Sequence, residues 1–339
     1  MIICIAEDRE CCEPGLKLLI LSLDKHCREL PVIVFYPPAG AAFRSWVGSY
    51  PQVTVHTAPL PGAHGWNVKP QAILHLMDQG YDQIVWIDSD IIVNRDFTRM
   101  LNELPPSVLA ITEEALWGAH EDPDCLRARL WGFDAGRNLP FTLNTAVLRV
   151  TRLHYGLLGK WREILESEQY RTVQQKSWID RPVHMVGDQD VLTAILSSAE
   201  YAQIPLRILA RGKEIIQFFG LYGYTMHERA LRLVHGRPYF IHSQGIKPWL
   251  EGWHAAAPMG LRKYIESVYL DLSPYTIAAS SFRTRLDCDS KWMTAHYKLS
   301  AIMRGAAMWY MPLVGLPIAL VSDLMRVSKR GFRSTHRRP

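Results

Sequence analysis

Short apolar runs alternate with amphipathic stretches through the first two thirds of the chain. Met1–Ala6 predicts a strand that ends in Glu7-Asp8-Arg9-Glu10. A helix is expected from about Pro14 to Glu29, with Leu16, Leu19, Ile20, Leu23 and Cys27 as its apolar stripe and Pro14 in its first turn. Pro31–Tyr36 predicts a strand stopped by Pro37-Pro38, and Gln52–Thr57 an alternating one. A helix over Pro70–Gln79 leads into Ile84–Val93, a β-branched run read as one buried strand. Strand, helix, strand, strand, helix, strand is the pattern of an α/β fold with a mostly parallel sheet, in which ligands gather at the carboxyl ends of strands.

Farther on, strands are expected at Ser107–Thr112, Phe141–Val150, Leu206–Leu209 and Tyr239–His242, and a helix at Leu153–Gln169. Ala115–Pro140 mixes Gly, Pro, Trp and acids and reads as a long functional loop or small subdomain. Gly187-Asp188-Gln189-Asp190 opens a helix, with Asp188 suited to its N-cap. Past Trp253 the strand pattern stops and 258–300 reads as helical and amphipathic. The expected division is a catalytic domain over 1–255 and a helical region over 256–339.

Charge sharpens this picture once it is located. Of the net +5, residues 323–339 carry all: six basic residues stand there against Asp323, which leaves 32 basic and 32 acidic groups elsewhere. The basicity belongs to a tail and gives the core no footprint for nucleic acid. Before that tail, Gly305–Ser322 runs 18 residues without a charge. Pro312 and Pro317 would break a spanning helix, and Trp309-Tyr310 prefers an interface. Residues 305–339 are therefore expected to lie in, or shallowly under, an anionic membrane surface, with a buried helix pair as the alternative. The six cysteines form no CxxC and read as free thiols, and no secretory leader is visible, so a cytoplasmic protein, peripheral or monotopic on the membrane, is expected.

The candidate chemistry centres on Asp88-Ser89-Asp90. Two carboxylates are costly to bury unpaired, and two residues apart on an extended strand they face the same way and are able to share one divalent cation. Asn144-Thr145, Gly187–Asp190 and the stretch from His242 through Ser243, Gln244, Gly245, Ile246 and Lys247 to Pro248-Trp249 add further polar interruptions of apolar pattern. A histidine ligand shifts the preference toward Mn²⁺ over Mg²⁺, and Lys247 would place fixed positive charge on a phosphate.

These four stretches, in this order, resemble the GT-A glycosyltransferases, most closely family 8, over about residues 1–255. The resemblance implies a Rossmann-like α/β fold and a retaining hexosyltransferase using a UDP-sugar, UDP-Gal or UDP-Glc. It implies Asp88, Asp90 and His242 as metal ligands, for Mn²⁺ or Mg²⁺, and Lys247 on the diphosphate. The stretch HSQGIKPW has one residue fewer between Gly245 and Lys247 than the family's common form. Asp188 and Gln189 match the family's pair beside the reacting sugar, with Gln189 toward the β-face of the anomeric carbon. Asn144, with Thr145, matches positions that bond sugar hydroxyls. Asp8 is placed for the uracil or ribose and Ser89 for the ribose. Lys69 stands where the family often carries a basic residue near the donor, or else is an ordinary solvated lysine. The acceptor expected from the tail is a glycan or lipid-linked sugar. Two other readings remain at this point: an inverting transferase with Glu113, Glu114 or Asp134 as base, and a non-catalytic sugar-nucleotide or glycan-binding protein on the same fold.

Overall fold

The computed structural model describes residues 1–63, 65–114, 122–220, 223–245, 247–250, 260–286, 290–306 and 312–324. The chain divides into two compact units. The first comprises 1–16, 23–89 and 96–209, the second 17–22, 90–95 and 210–339.

The first unit is built on a seven-stranded sheet. Its strands are β1 (Ile2–Ala6), β2 (Val32–Phe35), β3 (Val53–His56), β4 (Gln83–Ile87), β6 (Leu109–Glu113), β7 (Leu143–Thr151) and β8 (Leu206–Leu209), in the spatial order β3-β2-β1-β4-β7-β6-β8. β1 pairs in parallel with β2 and β4, β2 with β3, and β6 with β8, whereas β7 is antiparallel to both of its neighbours. The predicted mostly parallel α/β sheet is thus present, with one reversed strand in its interior. That reversal matters for the site. β1, β4 and β6 end on one edge of the sheet, just before Glu7, Asp88 and Glu114, and β7 begins on the same edge, at Leu143 beside Asn144.

Helices cover the sheet: α1 (Glu13–His26), α2 (Ala41–Val47), α3 (Val68–Asp78), α4 (Thr98–Asn102), α5 (Leu126–Leu130), α6 (Tyr155–Glu166), α7 (Glu168–Gln174) and α8 (Asp188–Ser197). α3, α6 and α8 send Ile73, Leu74, Leu76, Met77, Leu158, Trp161, Val191, Leu192 and Ile195 into a core that also holds Trp86, Leu148 and Val150 of the sheet. Trp161 is wholly buried and its indole N–H donates to the Asp188 carbonyl at 3.0 Å. One side chain therefore packs the core and pins the first residue of α8.

The second unit carries a three-stranded sheet, β5 (Ile91–Val93), β10 (Phe240–His242) and β9 (Ile215–Gln217), ordered β5-β10-β9. Helices α9 (Met226–His235), α10 (Leu261–Asp271), α11 (Pro274–Ala279) and α12 (Lys298–Ala306) belong to it. Its core gathers Ile216, Phe218, Tyr224, Tyr269, Leu270 and Ala319.

The run Ile84–Val93 is two strands of different sheets, not one. Asp88 lies just past β4, its N–H still donating to the Ala146 carbonyl at 2.9 Å, and Ser89-Asp90 form a turn, so Asp88 and Asp90 do not share the face of an extended strand. The apolar pattern is continuous across the break, and only the three polar residues mark it. Asp188 is the first residue of α8 and Gly187 its N-cap; the reciprocal cap comes from Asp190, whose Oδ2 accepts the Gly187 N–H at 3.0 Å.

The expected membrane segment is only partly described: 307–311 and 325–339 lie outside the described residues. The remainder, 312–324, packs within the second unit. The Arg229 guanidinium donates to the Pro312 and Val314 carbonyls at 2.8 and 2.7 Å, and Asp323 accepts the Met226 N–H. No helix among the described residues is long and apolar enough to cross a membrane. The five described cysteines form no disulfide among themselves.

Candidate active site

In the first unit the site grows from the common edge of β1, β4, β6 and β7. Asp88 follows β4 directly, and its Oδ1 accepts the Trp86 indole N–H at 2.7 Å. Side chains two apart on a strand share a face, so the buried indole and the carboxylate meet. Lys69, from the first turn of α3, reaches Asp88 at 3.0 Å, donates to the Thr145 hydroxyl at 2.8 Å, and stands 3.5 Å from the Asp188 carboxylate. Thr145 in turn donates to Asp188 Oδ2 at 2.8 Å. Lys69 is not an ordinary solvated lysine: its side chain is 11% exposed. A lysine so enclosed costs rotamer freedom and desolvation, which two carboxylates offset.

Asn144 and Gln189 form the next layer. A register irregularity between Ile111 and Thr112 opposite β7 breaks the regular ladder there, and the Asn144 side chain fills the gap by accepting the Ala146 N–H at 2.8 Å. The Asn144 amide donates to Glu114 at 2.9 Å and to Gln189 Oε1 at 3.0 Å, and the Gln189 amide donates to the same Glu114 oxygen. Asn144 therefore sits in an interior strand as a bulge partner and a link between Glu114 and Gln189 at once.

Asp190 points away from this group. Its Oδ1 accepts from Arg127 at 3.0 Å, and Arg127 also pairs with Asp122 at 3.2 Å, all three buried. Burial pushes the Asp190 carboxyl up to about 6, against the opposing pull of Arg127.

At the end of β1, Glu7 rather than Asp8 is enclosed. Glu7 accepts the backbone N–H groups of Asp8 and Arg9 and a two-pronged contact from the Arg9 guanidinium at 2.8 and 2.9 Å. It also accepts the Ser89 hydroxyl at 2.6 Å. Asp8 lies exposed at the same strand end.

In the second unit, Asp90, His242 and Lys247 come together. Asp90 is buried and accepts from Lys247, whose ammonium also donates to the Ser243 carbonyl at 2.9 Å. Burial works to raise the Asp90 carboxyl, but Lys247 and His242 outweigh it and hold the group well below the usual carboxylate range. His242 is the last residue of β10, and β9 brings Gln217 beside it, with Gln217 Oε1 3.3 Å from His242 Nδ1. The other ring nitrogen, Nε2, stands 3.4 Å from Asp90 Oδ1, and an imidazole oriented through its far nitrogen is the usual form of a metal-ligating histidine. The donor set of Asp90 and His242, with Asp88 two residues earlier in the chain, fits a hard-to-borderline divalent cation.

Gly245 has φ +77°, and a Cβ there would meet the Phe219 ring at 2.0 Å, so this turn accepts only glycine.

Sequence reasoning gave no partner role to Glu7, Gln217 or Trp86, which bond Ser89, His242 and Asp88, or to Arg127, which bonds Asp190. None of the four carries a local motif. Glu114, expected only as a base of the inverting alternative, is joined here to Asn144 and Gln189.

No protein-family model matches the sequence, and no curated protein matches it. Solved structures do. A galactosyltransferase, LgtC, solved with donor and acceptor sugar analogues, is 14% identical at a TM-score of 0.46, covering 84% of this chain and all of that one. Mouse xyloside xylosyltransferase 1 is 14% identical at 0.45, over 72% of this chain and 97% of that one. The glycosyltransferase GlyE of Streptococcus pneumoniae is 16% identical at 0.43, over 84% of this chain and 63% of that one. These are glycosyltransferases to which the chain trace is similar at low identity; the site above stands on its own geometry.

Proposed function

We propose that the protein is a metal-dependent glycosyltransferase that moves a hexose from a UDP-sugar to a glycan or lipid-linked acceptor with retention of configuration. The observation that carries this reading is Lys69. One ammonium within 3.0 Å of Asp88 and 3.5 Å of Asp188 puts the acid at a strand end and the acid at a helix start within reach of one side chain. A diphosphate and its sugar need those two environments side by side.

On this reading Asp88, Asp90 and His242 hold the cation, Mn²⁺ in preference to Mg²⁺ because of the imidazole. When bound, the ion supplies Lewis-acid stabilisation of charge on the departing diphosphate. The chain does the rest. Lys247 offers a fixed positive charge to the same phosphates, and Gly245 lets the backbone turn tightly before it. Asp188 accepts bonds from sugar hydroxyls, with Thr145 and Lys69 orienting it. Asn144 donates to the sugar side, and Gln189 lies against the anomeric carbon and stabilises its developing positive charge. Glu7 sets the Ser89 hydroxyl at the ribose end, and Asp8, exposed beside it, is free to meet the base or ribose. The commitment of one Glu114 oxygen to two amide donors weighs against that residue as the base of an inverting reaction.

A cytoplasmic membrane surface is part of the proposal. Leu313, Leu320, Val321 and Leu324 are exposed just before the basic tail, the pairing of apolar and cationic groups that an anionic interface binds.

The test is UDP release from a panel of UDP-sugars, with Mn²⁺ and with EDTA. Metal-dependent turnover of one donor supports the reading, and NMR of the product's anomeric configuration separates retention from inversion. Tight donor binding without any turnover, acceptor included, would favour the binding-protein alternative.

A further inference from the structure

The amide of Gln189 has its orientation dictated by a chain of bonds with a single consistent direction. The chain starts at the backbone N–H of Ala146, which is able only to donate. It donates to Asn144 Oδ1 at 2.8 Å, so the other end of the Asn144 side chain must be its NH₂. That NH₂ donates twice, to Glu114 Oε2 at 2.9 Å and to Gln189 at 3.0 Å. The atom of Gln189 facing it is therefore the carbonyl oxygen, and the Gln189 NH₂ is left to face Glu114, to which it donates. The Thr112 hydroxyl donates to the Asn144 backbone carbonyl at 2.6 Å and also lies 3.3 Å from Asn144 Oδ1. Glu114 and Asn144 are buried, 2% and 3% exposed, so water competes poorly for these bonds.

We propose that Glu114 is a positioning residue for Gln189, and that its carboxylate also polarises the Gln189 amide. An amide N–H bonded to an anion shifts electron density onto its own carbonyl oxygen. That oxygen has one lone pair on Asn144 and a second lone pair for the sugar. A neutral glutamine so arranged presents more negative charge to a carbon losing its leaving group than an isolated amide does, without forming a covalent bond to it. The inference deepens the transferase reading and rests on it for the role of Gln189; the hydrogen-bond chain itself does not.

Two measurements test it. The first is donor turnover by Glu114→Gln and Glu114→Asp. Glu114→Gln removes the charge at constant shape and is expected to lower kcat by about tenfold or more, with the donor KM within about twofold of wild type. Glu114→Asp keeps the charge and is expected to recover part of the loss. An unchanged kcat in Glu114→Gln, or no difference between the two variants, would overturn the polarising role. The second measurement is a stability cycle by urea denaturation that needs no turnover. Gln189→Glu sets two carboxylates against each other and is expected to lower the unfolding midpoint. Adding Glu114→Gln, which restores one amide and one acid, is expected to raise it again. Purely additive effects would show that the pair is not coupled and would sink the proposal. If the wild type releases no UDP from any donor, the transferase reading fails, and the cycle still decides whether Glu114 sets the Gln189 amide.

Discussion

At the scale of single residues, the site is a set of charges each held by a partner far away in sequence. Asp88 rests on Trp86 and Lys69, Asp90 on Lys247 and His242, Asp190 on Arg127. That the acids of Asp88-Ser89-Asp90 require cations was legible from the cost of burying them; which cations meet them was not, because Lys69 and Lys247 look like any other lysine until folding encloses them. Asp8 and Glu7 make the same point. Both follow β1, and only the fold shows that Glu7 turns inward to Ser89 while Asp8 faces out. Arg127 gives a sharp test. Its guanidinium is buried between Asp122 and Asp190, so Arg127→Ala leaves two buried acids short of their cation. The expected loss is about 3–5 kcal/mol, read as a lower urea midpoint at constant slope. His154 supplies a pH test. Burial holds its pKa below the ordinary value, and its Nδ1 accepts the Thr151 N–H at 3.0 Å, which needs the neutral ring. His184 is lowered in the same direction, by burial first and Arg127 second. A histidine depressed on folding contributes stability that is full above its unfolded value, near 6.5, and is lost as pH falls below it. Urea midpoints are therefore expected to drop between pH 7.5 and 5.5, and to drop less in His154→Asn.

At the scale of elements, legibility followed apolar periodicity and failed where periodicity was short or inverted. β8 matches its expected bounds, and β1 and β2 fall within a residue of theirs at each end. β9 is three residues long, too short to show alternation. α9 was invisible for another reason: its inward residues include Glu228, Arg229 and Arg232, so the stripe that marks a helix is partly ionic. The expected helix over Leu153–Gln169 is two, broken at Ser167, whose backbone is extended and whose hydroxyl caps α7 by accepting the Tyr170 N–H. Gly245→Ala must both adopt φ +77° and displace the Phe219 ring. The strain, about 1–2 kcal/mol before the clash, falls on the segment that presents Lys247. UDP-sugar affinity is expected to weaken by about tenfold or more by calorimetry, and the urea midpoint to fall as well. Equal affinity would mean that this turn does not touch the donor.

At the scale of the whole molecule, the α/β class and the mostly parallel sheet were readable because alternating strands and helices leave few other ways to bury their faces. The two-unit division was not, since 17–22 and 90–95 join the second unit from deep within the sequence of the first. The segment 312–324 is two-faced: Val314 and Ala319 enter apolar clusters, while Leu313, Leu320, Val321 and Leu324 are exposed. Replacing Arg326, Lys329, Arg330, Arg333, Arg337 and Arg338 by Glu is expected to abolish sedimentation with anionic vesicles, at about 1 kcal/mol per basic residue near the surface. Donor turnover in solution should persist, and retention on the vesicles would remove the electrostatic part of the membrane reading. The central claim is that this chain binds a divalent cation through Asp90 and His242 to carry a nucleotide diphosphate. It is tested most directly by an electron paramagnetic resonance titration of Mn²⁺ with and without UDP, comparing wild type with Asp90→Asn and His242→Ala. The account predicts that the wild type takes up one Mn²⁺ more tightly in the presence of UDP and that both variants lose this uptake while remaining folded. Wild-type uptake indifferent to UDP, or unchanged in both variants, would contradict it.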